Sequence, residues 1–437
     1  MQEYIHSVSL DADRCTGCTT CMKFCPTEAI RVHNGCAQID GNRCIDCGEC
    51  VRHCTNNAKK AVCSQFSQIA AYKWKIALPA PSLFAQFSGL DDVDFVLQGL
   101  LDIGFDDVFE VARAAELVSA YTRRYLKTEG IKKPVISSAC PVVERLVLLR
   151  FPSLRDNILP IKPPVEVAAE MARAKALREH PELRSEDVGV CFISPCAAKA
   201  SYIKNQCGSY QSQVDVVLSI NEVYFQLLNV MKHIESPAVS TASGMIGLGW
   251  ASIGGETSAL LSDNNISVDG IHNVNEVLEK IENGSIPPVD FVELNACTGG
   301  CVGGVLTIEN PYVAKNRLKA LRRYMPVSLN TIPSEESYIP DDVLAEPAAY
   351  QNNNRLGRSF GESMRLMVRI QEIRESLPGI DCGSCGAPTC RAFAEDVVRG
   401  KADIDDCIIA YKDLIRNYIS DKNRGERTHD SGTTGTV

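Results

Sequence analysis

The sequence predicts an α/β fold, α+β overall, with a central layered domain and a small cysteine-rich module at each end. Three observations support this prediction. Strand-like and helix-like stretches alternate between about residues 72 and 345, as in layered α/β domains. Ten of the 20 cysteines lie within residues 1–63, and four more lie between residues 382 and 407. At 437 residues, the chain is long enough for two or three domains.

Composition narrows the functional class. The net charge is −9, with 45 Lys+Arg against 54 Asp+Glu, and the sequence shows no basic cluster of the kind that binds phosphates. Residues 1–10 lack the basic and apolar regions of an export signal, and no segment approaches the roughly 18 consecutive apolar residues that cross a bilayer. The cysteines of such a chain are expected to bind metals rather than to form disulfides. We therefore expect a protein of a reducing, anoxic cytoplasm, without nucleic-acid or membrane partners.

The N-terminal module, residues 1–63, contains an internal repeat of about 29 residues. Each copy carries the spacing C-x2-C-x2-C-x3-C, which is the pattern of bacterial two-cluster ferredoxins, where the fourth cysteine of each run binds the other cluster. The predicted ligands of one 4Fe-4S cluster are Cys15, Cys18, Cys21 and Cys54. Those of the second cluster are Cys44, Cys47, Cys50 and Cys25. A zinc ribbon is the alternative, but two such runs favour iron–sulfur clusters.

The central region begins after a connector at residues 58–73, which we expect to be helical, and a strand that leads to Ala80-Pro81-Ser82. Short apolar runs predict further strands, and periodic stretches predict helices. The strands are expected at residues 135–136, 188–193, 214–218 and 289–294, and the helices at residues 164–179 and 273–282. A looser linker is expected from Pro340 through residues 352–354.

The C-terminal segment, residues 355–421, starts with apolar residues at steps of three and four, which predict a helix from Phe360 to Leu377. A C-x2-C-x4-C-x16-C pattern follows, with three cysteines on a Gly/Pro turn and the fourth beyond a helix. It resembles the 4Fe-4S modules of corrinoid iron–sulfur proteins and of membrane electron-transport subunits, and a zinc knot is the alternative. The predicted ligands are Cys382, Cys385, Cys390 and Cys407. We expect two electron ports, one at each end of the central domain, and a disordered tail at residues 422–437.

Three separated segments of the central region, residues 136–141, 193–199 and 293–304, carry four cysteines in loop-like positions. Each segment alone is weak evidence. Together, and behind a ferredoxin-like module, they resemble the three signature motifs of the iron-iron hydrogenases. The resemblance covers roughly residues 72–310 and implies a two-lobed α/β hydrogenase domain, which we place at residues 72–345.

The resemblance also implies a cofactor and an activity. Cys140, Cys196, Cys297 and Cys301 are expected to hold a 4Fe-4S cubane. Cys301 would bridge it to a two-iron subcluster with CO, cyanide and dithiolate ligands, which completes the H-cluster. Pro81, Ser82 and Lys199 match residues that contact iron-bound cyanide in the family. The implied reaction is reversible proton reduction to H2, with protons and H2 as substrates, a redox protein such as ferredoxin or a signalling protein as partner, and hydrogenase maturation proteins for assembly.

The sequence departs from the family at the proton relay. Ala139 stands where fast members have a cysteine that shuttles protons, and losing a general acid slows a reaction by about 10²- to 10⁴-fold. Ser194 and Asn295 replace two methionines, and Tyr121 and Thr122 stand where relay glutamates are expected. Candidate replacements, each expected to be structural first, are Ser137, Ser138, Glu116, Glu256, Glu293 and Cys191. We therefore predict a slow, sensory hydrogenase, with a slow metabolic enzyme and a non-catalytic iron–sulfur scaffold or electron-transfer protein as alternatives.

Overall fold

The computed structural model describes residues 4–205, 210–333, 338–346, 356–412 and 415–416. The predicted linker at residues 352–354 and the predicted tail at residues 422–437 lie outside these residues. The chain divides into two units by its contacts. Unit 1 consists of Met1–Ser9, Cys44–Arg52 and Lys59–Gln351, and unit 2 consists of Leu10–Arg43, His53–Ala58 and Asn352–Val437. The ferredoxin-like segment therefore contributes to both units.

The structure has strands throughout the central region and short strands in the N-terminal segment. They are β1 Val8–Leu10, β2 Ile30–His33, β3 Cys36–Ile39, β4 Lys59–Ala61, β5 Trp74–Pro79, β6 Asp107–Val108, β7 Val135–Ile136, β8 Val188–Ser194, β9 Val216–Ser219, β10 Asn265–Asp269 and β11 Phe291–Asn295. Short 3-10 helices occur as connectors, and two of them, Phe66–Ala71 and Cys301–Gly303, matter below.

The α-helices range from single turns to more than four turns. They are α1 Thr20–Lys23, α2 Glu49–Arg52, α3 Pro81–Phe84, α4 Asp94–Asp102, α5 Val111–Tyr125, α6 Pro141–Arg150, α7 Pro164–Glu179, α8 Ala197–Asn205, α9 Ile220–Met231, α10 Met245–Gly249, α11 Gly255–Ala259, α12 Ile271–Glu282, α13 Pro311–Arg322, α14 Phe360–Ser376 and α15 Cys390–Val398. Among the described residues, no helix combines the length and the apolar character that crossing a bilayer requires.

The larger sheet of unit 1 has the order β6-β5-β8-β9, and all its pairs are parallel. Every residue of β8 is buried, as expected for a strand covered on both faces. Successive side chains point to opposite faces, and the cores reflect this: Val190 packs in one apolar cluster and Cys191 in the other. Helices cover both faces, with α7 on one side and α4 and α9 on the other.

The smaller sheet of unit 1 has the order β10-β11-β7 and is also parallel. Ile136 and Val292 contribute to an apolar cluster that includes Leu146 of α6 and Val274 of α12. The two sheets with their helices form the predicted two-lobed α/β domain, so the predicted fold class is confirmed.

Unit 2 contains the antiparallel hairpin of β2 and β3 and the C-terminal helices α14 and α15. Leu377 and Phe393 form the centre of a small apolar cluster together with Ile370 and Ile373. The predicted helix from Phe360 is confirmed, since α14 ends at Ser376.

Most predicted elements of the central region are found, with ends that move by a few residues. The strand β7 and the helix α7 match their predicted bounds. The connector at residues 58–73 is different, because it holds β4 and the 3-10 helix Phe66–Ala71 rather than an α-helix. Strand β4 pairs with β1, a long-range partner that overrides local helix propensity.

Candidate active site

A cavity in unit 1 brings together the cysteines of the three central motifs. The space that protein atoms do not fill is about 1020 Å³, part of it open to solvent. Its lining includes nine residues named in the sequence analysis, four of them cysteines: Pro81, Ser82, Ala139, Cys140, Cys196, Lys199, Asn295, Cys297 and Cys301. Pro81 and Cys301, the first and the last of these residues, lie more than 200 positions apart in the sequence, so only folding brings the set together.

The elements explain this convergence. Cys140 follows β7 and precedes α6, and Cys196 follows β8 and precedes α8. Cys297 follows β11, and Cys301 begins the 3-10 helix Cys301–Gly303. The segments beyond the carboxyl ends of parallel strands are where open α/β sheets build their ligand sites. Three such segments therefore supply the cysteine wall of the cavity.

Two glycines allow the last pair of cysteines to approach the other motifs. Gly300 has a φ of +89°, and a Cβ atom on it would lie 2.5 Å from the backbone nitrogen of Ile253. A Cβ atom on Gly304 would lie 2.1 Å from the carbonyl oxygen of Pro195. A side chain at Gly304 would push the loop of Cys301 away from the loop of Cys196, and one at Gly300 would push it away from the segment that contains Ile253.

The donor set of the cavity fits a positively charged metal group. Burial raises the pKa of Cys297 to about 12 and that of Cys196 to about 11, and it also raises the pKa of Cys301. Neighbouring thiols add to the increase, since Cys140 raises the pKa values of Cys196 and Cys301. The Cys301 sulfur lies deep in the protein but faces the open cavity, so its side chain is accessible there. In a buried site of this kind, the thiolate form of cysteine is favoured over the thiol only when a bound metal compensates its negative charge.

Polar groups in the cavity lining also fit a bound group. Ser82 is completely buried, and its hydroxyl group has no hydrogen-bond partner within the described structure. It lies in the first turn of α3, so the predicted Ala-Pro-Ser turn opens a short helix. The Lys199 ammonium lies near Cys196 and Cys301 and lowers the pKa of each thiol. A buried hydroxyl group without a hydrogen-bond partner is unfavourable unless a bound ligand supplies that partner.

Two buried carboxylates lie beside the position of Ala139. Glu256 and Glu293 are 4% and 2% exposed, and both line the cavity. The Ser137 hydroxyl donates to Glu256 Oε2 at 2.6 Å and accepts from the Ala139 amide at 3.2 Å. Glu256 Oε1 has no partner within the described structure. Burial, reinforced by the charge of Glu293, raises the pKa of Glu256 well above its ordinary value.

Glu293 connects the cavity to an exposed edge. Its carboxylate accepts hydrogen bonds from the amides of Gly254, at 3.0 Å, and Thr257, at 2.9 Å. The Thr257 hydroxyl donates to Glu293 Oε2 at 3.1 Å and lies 2.7 Å from the hydroxyl of the exposed Ser267. Burial raises the pKa of Glu293 despite these hydrogen bonds.

The other relay candidates have structural partners and lie outside the cavity lining. Glu116 accepts from the amides of Gly244, at 2.6 Å, and Asn330, at 2.8 Å. The Ser138 hydroxyl donates to the carbonyl oxygen of Ile161 at 2.8 Å, and Cys191 is buried inside β8.

The residues at the other divergent positions also have clear local partners. The Thr122 hydroxyl bonds within α5, and the Tyr121 ring packs against the core. The Ser194 hydroxyl accepts from the Cys196 amide at 3.1 Å, which fixes the loop of that cysteine. Asn295 donates to Glu293 Oε1 at 3.1 Å, so it supports the carboxylate at the cavity.

The two copies of the N-terminal repeat have matching backbone conformations. Positive φ angles recur at Gly17 and Asp46, at Thr19 and Gly48, and at Glu28 and Asn57. Cys25 and Cys54 each accept a hydrogen bond at 3.2 Å from the amide four residues later. Amide donors to these sulfurs favour thiolate ligands and stabilise a reduced cluster.

Sequence reasoning missed one contact in the cavity wall. The Arg52 guanidinium donates to Cys297 Sγ at 3.1 Å and pairs with Glu49 at 3.2 Å. Arg52 lies in the second repeat run, between Cys50 and Cys54. No spacing signal links it to a cysteine 245 residues away.

The C-terminal cysteines surround a cavity of their own in unit 2. Cys382, Cys385, Cys390 and Cys407 line a space of about 360 Å³ together with Leu377 and Phe393. Hydrogen bonds from Ser384 lower the pKa of Cys382, whereas burial raises that of Cys385. Four cysteines around one small space fit a metal cluster of the predicted kind.

Family models match three parts of the chain. The model "Iron only hydrogenase large subunit, C-terminal domain" matches residues 73–242 and 232–305, which is more than half of the chain. A 4Fe-4S dicluster model matches residues 7–55, and an Fe-S cluster model matches residues 377–409. The chain therefore binds iron–sulfur cofactors.

Individual proteins show shorter or more distant similarity. The periplasmic [Fe] hydrogenase large subunit of Nitratidesulfovibrio vulgaris is 30% identical over 214 residues, 45% of this chain and 51% of that protein. The chain thus spans about half the length of this relative. The corrinoid/iron-sulfur protein large subunit of Moorella thermoacetica is 53% identical over 53 residues, 12% of this chain and 10% of that protein.

Solved structures of the [FeFe]-hydrogenase HydA1 from Chlamydomonas reinhardtii are similar over 57% of this chain and 84% of theirs, at 19% identity and a TM-score of 0.44. The predicted resemblance is confirmed by the extent of the hydrogenase model and by the cluster models on either side of it. This chain belongs to the iron-only hydrogenase large-subunit family.

Proposed function

We propose that this protein is a hydrogenase that interconverts H2 with protons and electrons at an H-cluster in the central cavity. The observation that carries the proposal is the convergence of Cys140, Cys196, Cys297 and Cys301 on one cavity that Lys199 and the unpaired Ser82 hydroxyl also line. When bound there, the H-cluster supplies low-valent iron that can take up and release hydrogen.

The residues of the cavity would hold the group in distinct ways. The four cysteines would bind the cubane as thiolates, and Cys301 also lines the open space of the cavity, where the two-iron unit would lie. Metal binding would displace the protons that burial favours on Cys196, Cys297 and Cys301. Ser82 and Lys199 would donate hydrogen bonds to the ligands of the iron and orient them.

Proton delivery needs a group other than Ala139, because a methyl group holds no exchangeable proton. Glu256 suits this role, because burial raises its pKa well above the ordinary value and so favours the protonated carboxyl group. It lines the cavity, and its Oε1 atom has no hydrogen-bond partner within the described structure. Glu293, Thr257 and the exposed Ser267 then lead to solvent. We therefore propose the route Glu256, Glu293, Thr257, Ser267.

This route favours slow turnover. Burial raises the pKa of both Glu256 and Glu293, and the charge of Glu293 raises that of Glu256 further, so proton release from the pair is unfavourable. Slow turnover with retained hydrogen binding suits a regulatory sensor better than bulk metabolism. A redox protein such as ferredoxin, or a signalling protein, would then exchange electrons with the chain, and maturation proteins would supply the two-iron unit.

Infrared spectroscopy of protein matured with the two-iron unit tests the cofactor. We expect bands of iron-bound CO and cyanide that change under H2. The Cys301→Ser variant should lose them, whereas Cys36→Ala, a cysteine outside both cavity linings, should keep them. Absence of the bands in the matured wild type would contradict the proposal and favour a non-catalytic scaffold.

Turnover measurements test the proton route. Glu256→Gln should lower H2 evolution by at least about tenfold while the infrared bands persist, because an amide cannot donate and regain the proton. Ser267→Ala should lower it less, and Ser262→Ala, at a nearby exposed position, should have no effect. Unchanged turnover in Glu256→Gln would show that protons take another path.

A further inference from the structure

Unit 2 contains two of the predicted cluster sites. One set of ligands is Cys15, Cys18, Cys21 and Cys54, and the other is Cys382, Cys385, Cys390 and Cys407. The sequence led us to expect two electron ports, one at each end of the central domain. In the structure, the C-terminal module packs directly on the ferredoxin hairpin of β2 and β3.

The backbone contact between the two modules is close. The Val32 amide of β2 donates to the carbonyl oxygen of Gly386 at 2.9 Å. A Cβ atom on Gly386 would lie 2.1 Å from the Val32 carbonyl oxygen, so only glycine permits this approach. The ligand loop of Cys385 is thereby fixed to the strand that follows the first run of cysteines.

The contact involves the immediate neighbours of predicted ligands on both sides. Met22 follows Cys21, and Gly383 follows Cys382. The Met22 methyl carbon lies 3.0 Å from the position of a Cβ atom on Gly383. One ligand of each cluster therefore lies a single residue away from the contact.

Charged side chains reinforce the contact. The Arg31 guanidinium pairs with the Asp396 carboxylate through Nε and, at 3.3 Å, through Nη2. The side chains of Arg31 and Asp396 are 15% and 8% exposed. Arg43 pairs with Glu395, the neighbouring residue of α15. Two-point pairing at low exposure fixes orientation as well as distance.

We propose that the C-terminal cluster is the outer terminus of a single electron relay whose next member is the Cys15-containing cluster, and that the Arg31–Asp396 and Arg43–Glu395 pairs hold the two ligand loops in register. In each transfer, one electron leaves the reduced C-terminal site, which is oxidised, and reduces the neighbouring site. No bond forms or breaks, and a low-potential one-electron carrier protein resupplies the electron. The inference rests on the predicted cluster ligands and is independent of hydrogen chemistry.

Electron paramagnetic resonance of the reduced protein, with its 4Fe-4S clusters but without the two-iron unit, tests the contact. Reduced clusters that lie close together broaden or split each other's signals. We expect the wild type to show an interaction in addition to that between the two N-terminal clusters. Cys407→Ala should lose this additional interaction and keep the signals of the N-terminal pair. A wild-type spectrum equal to that of Cys407→Ala plus one independent cluster signal would overturn the proposal.

Charge variants test the ion pair. Arg31→Gln should weaken the interaction at unchanged iron content, whereas Arg391→Gln, an exposed arginine on α15, should leave it intact. The exchange of Arg31→Asp combined with Asp396→Arg should restore it, which also controls for misfolding of the single variant. An interaction that is unchanged in Arg31→Gln, or that the charge exchange fails to restore, would overturn the role assigned to the pair. A failed hydrogenase assay would leave these results unaffected.

Discussion

The side chain of Ala139 is a single methyl group in the cavity lining, next to the predicted ligand Cys140. Its neighbour Ser137 already points its hydroxyl at Glu256, so the surrounding polar groups have an arrangement that does not use position 139. The proposed proton delivery therefore depends on whether Glu256 replaces a proton carrier at this position.

Replacing Ala139 with cysteine adds a thiol at the cavity wall. We expect Ala139→Cys to raise turnover by about tenfold or more, because a missing general acid typically slows a reaction by about 10²- to 10⁴-fold. H2 evolution per CO-bearing cluster measures this. Ala139→Ser is the matched control and should gain less, since a hydroxyl group is a much weaker acid than a thiol. Equal rates for the wild type and the cysteine variant would mean that proton delivery through Glu256 does not limit turnover.

Glu256 also predicts a pH dependence of stability. Its pKa is raised in the folded protein above the ordinary 4.5, mainly by burial. The proton on Glu256 therefore stabilises the fold fully below about pH 4.5, and this contribution declines as the pH rises towards the raised value, by up to about 1.4 kcal/mol per pH unit.

The free energy of unfolding of Glu256→Gln should therefore increase relative to that of the wild type as the pH increases from 5 to 8. The upper limit of this increase is about 1.4 kcal/mol per pH unit. Thermal unfolding midpoints of both proteins across this range measure the difference. The exposed Glu276→Gln on α12 is the control and should show a flat difference. A flat difference for Glu256→Gln as well would mean that this carboxyl group ionises normally.

The loop between Cys297 and Cys301 shows how an element positions the site. Gly299 and Gly300 both have positive φ angles, and the Gly300 amide bonds to the Cys297 carbonyl oxygen at 3.0 Å. The loop thereby turns back on itself and presents both cysteines to one cavity. Its backbone lies against Ile253 in the segment between α10 and α11.

Gly300→Ala should disrupt this element. The added Cβ atom would lie 2.5 Å from the Ile253 nitrogen at a φ of +89°, which predicts a loss of about 2–5 kcal/mol and poor occupancy of the cubane. Gly254→Ala is the matched control, since its φ is +83° but nothing lies within 4 Å, and about 1–2 kcal/mol is expected. Iron content per chain and the unfolding midpoint measure both effects. Equal losses in the two variants would show that close packing at Gly300 is unimportant.

At the scale of the whole molecule, unit 1 depends on helices that cover both faces of its parallel sheet. Arg173 of α7 is 9% exposed and joins this helix to the strands. Its guanidinium donates to the carbonyl oxygens of Ser185, at 2.7 Å, and Val188, at 2.9 Å, and to Asp215 Oδ2 at 2.6 Å. One side chain therefore ties α7 to the segments that lead into β8 and into β9.

Arg173→Met should destabilise the fold by about 2–4 kcal/mol, because several buried acceptors lose their donor at once. Lys175→Met is the matched control on the same helix. Lys175 pairs with Asp107 at 2.8 Å, but both side chains are partly exposed, and a loss below about 1 kcal/mol is expected. Chemical unfolding of both variants measures this, and similar losses would contradict a special role for Arg173.

The sequence by itself identified the family, and it predicted the cluster ligands that lie close together in the chain. Predicted ligands that lie three or four residues apart are joined by a short stretch of backbone, so their relative positions follow from their spacing. The 29-residue repeat of the sequence is also seen in the structure, because positions 17 and 46 both have positive φ angles. The alternation of β7, α7, β8 and β11 was also predictable, because buried parallel strands are short apolar runs.

Only the tertiary structure decided which side chains complete the site. Glu256 acquires its raised pKa from burial beside Glu293, and Arg52 reaches Cys297 across 245 residues. The C-terminal module contacts β2 through Gly386, although the sequence suggested a separate port. Such pairings depend on how distant segments pack, since burial and long-range distance are properties of the folded chain and leave no trace in local spacing.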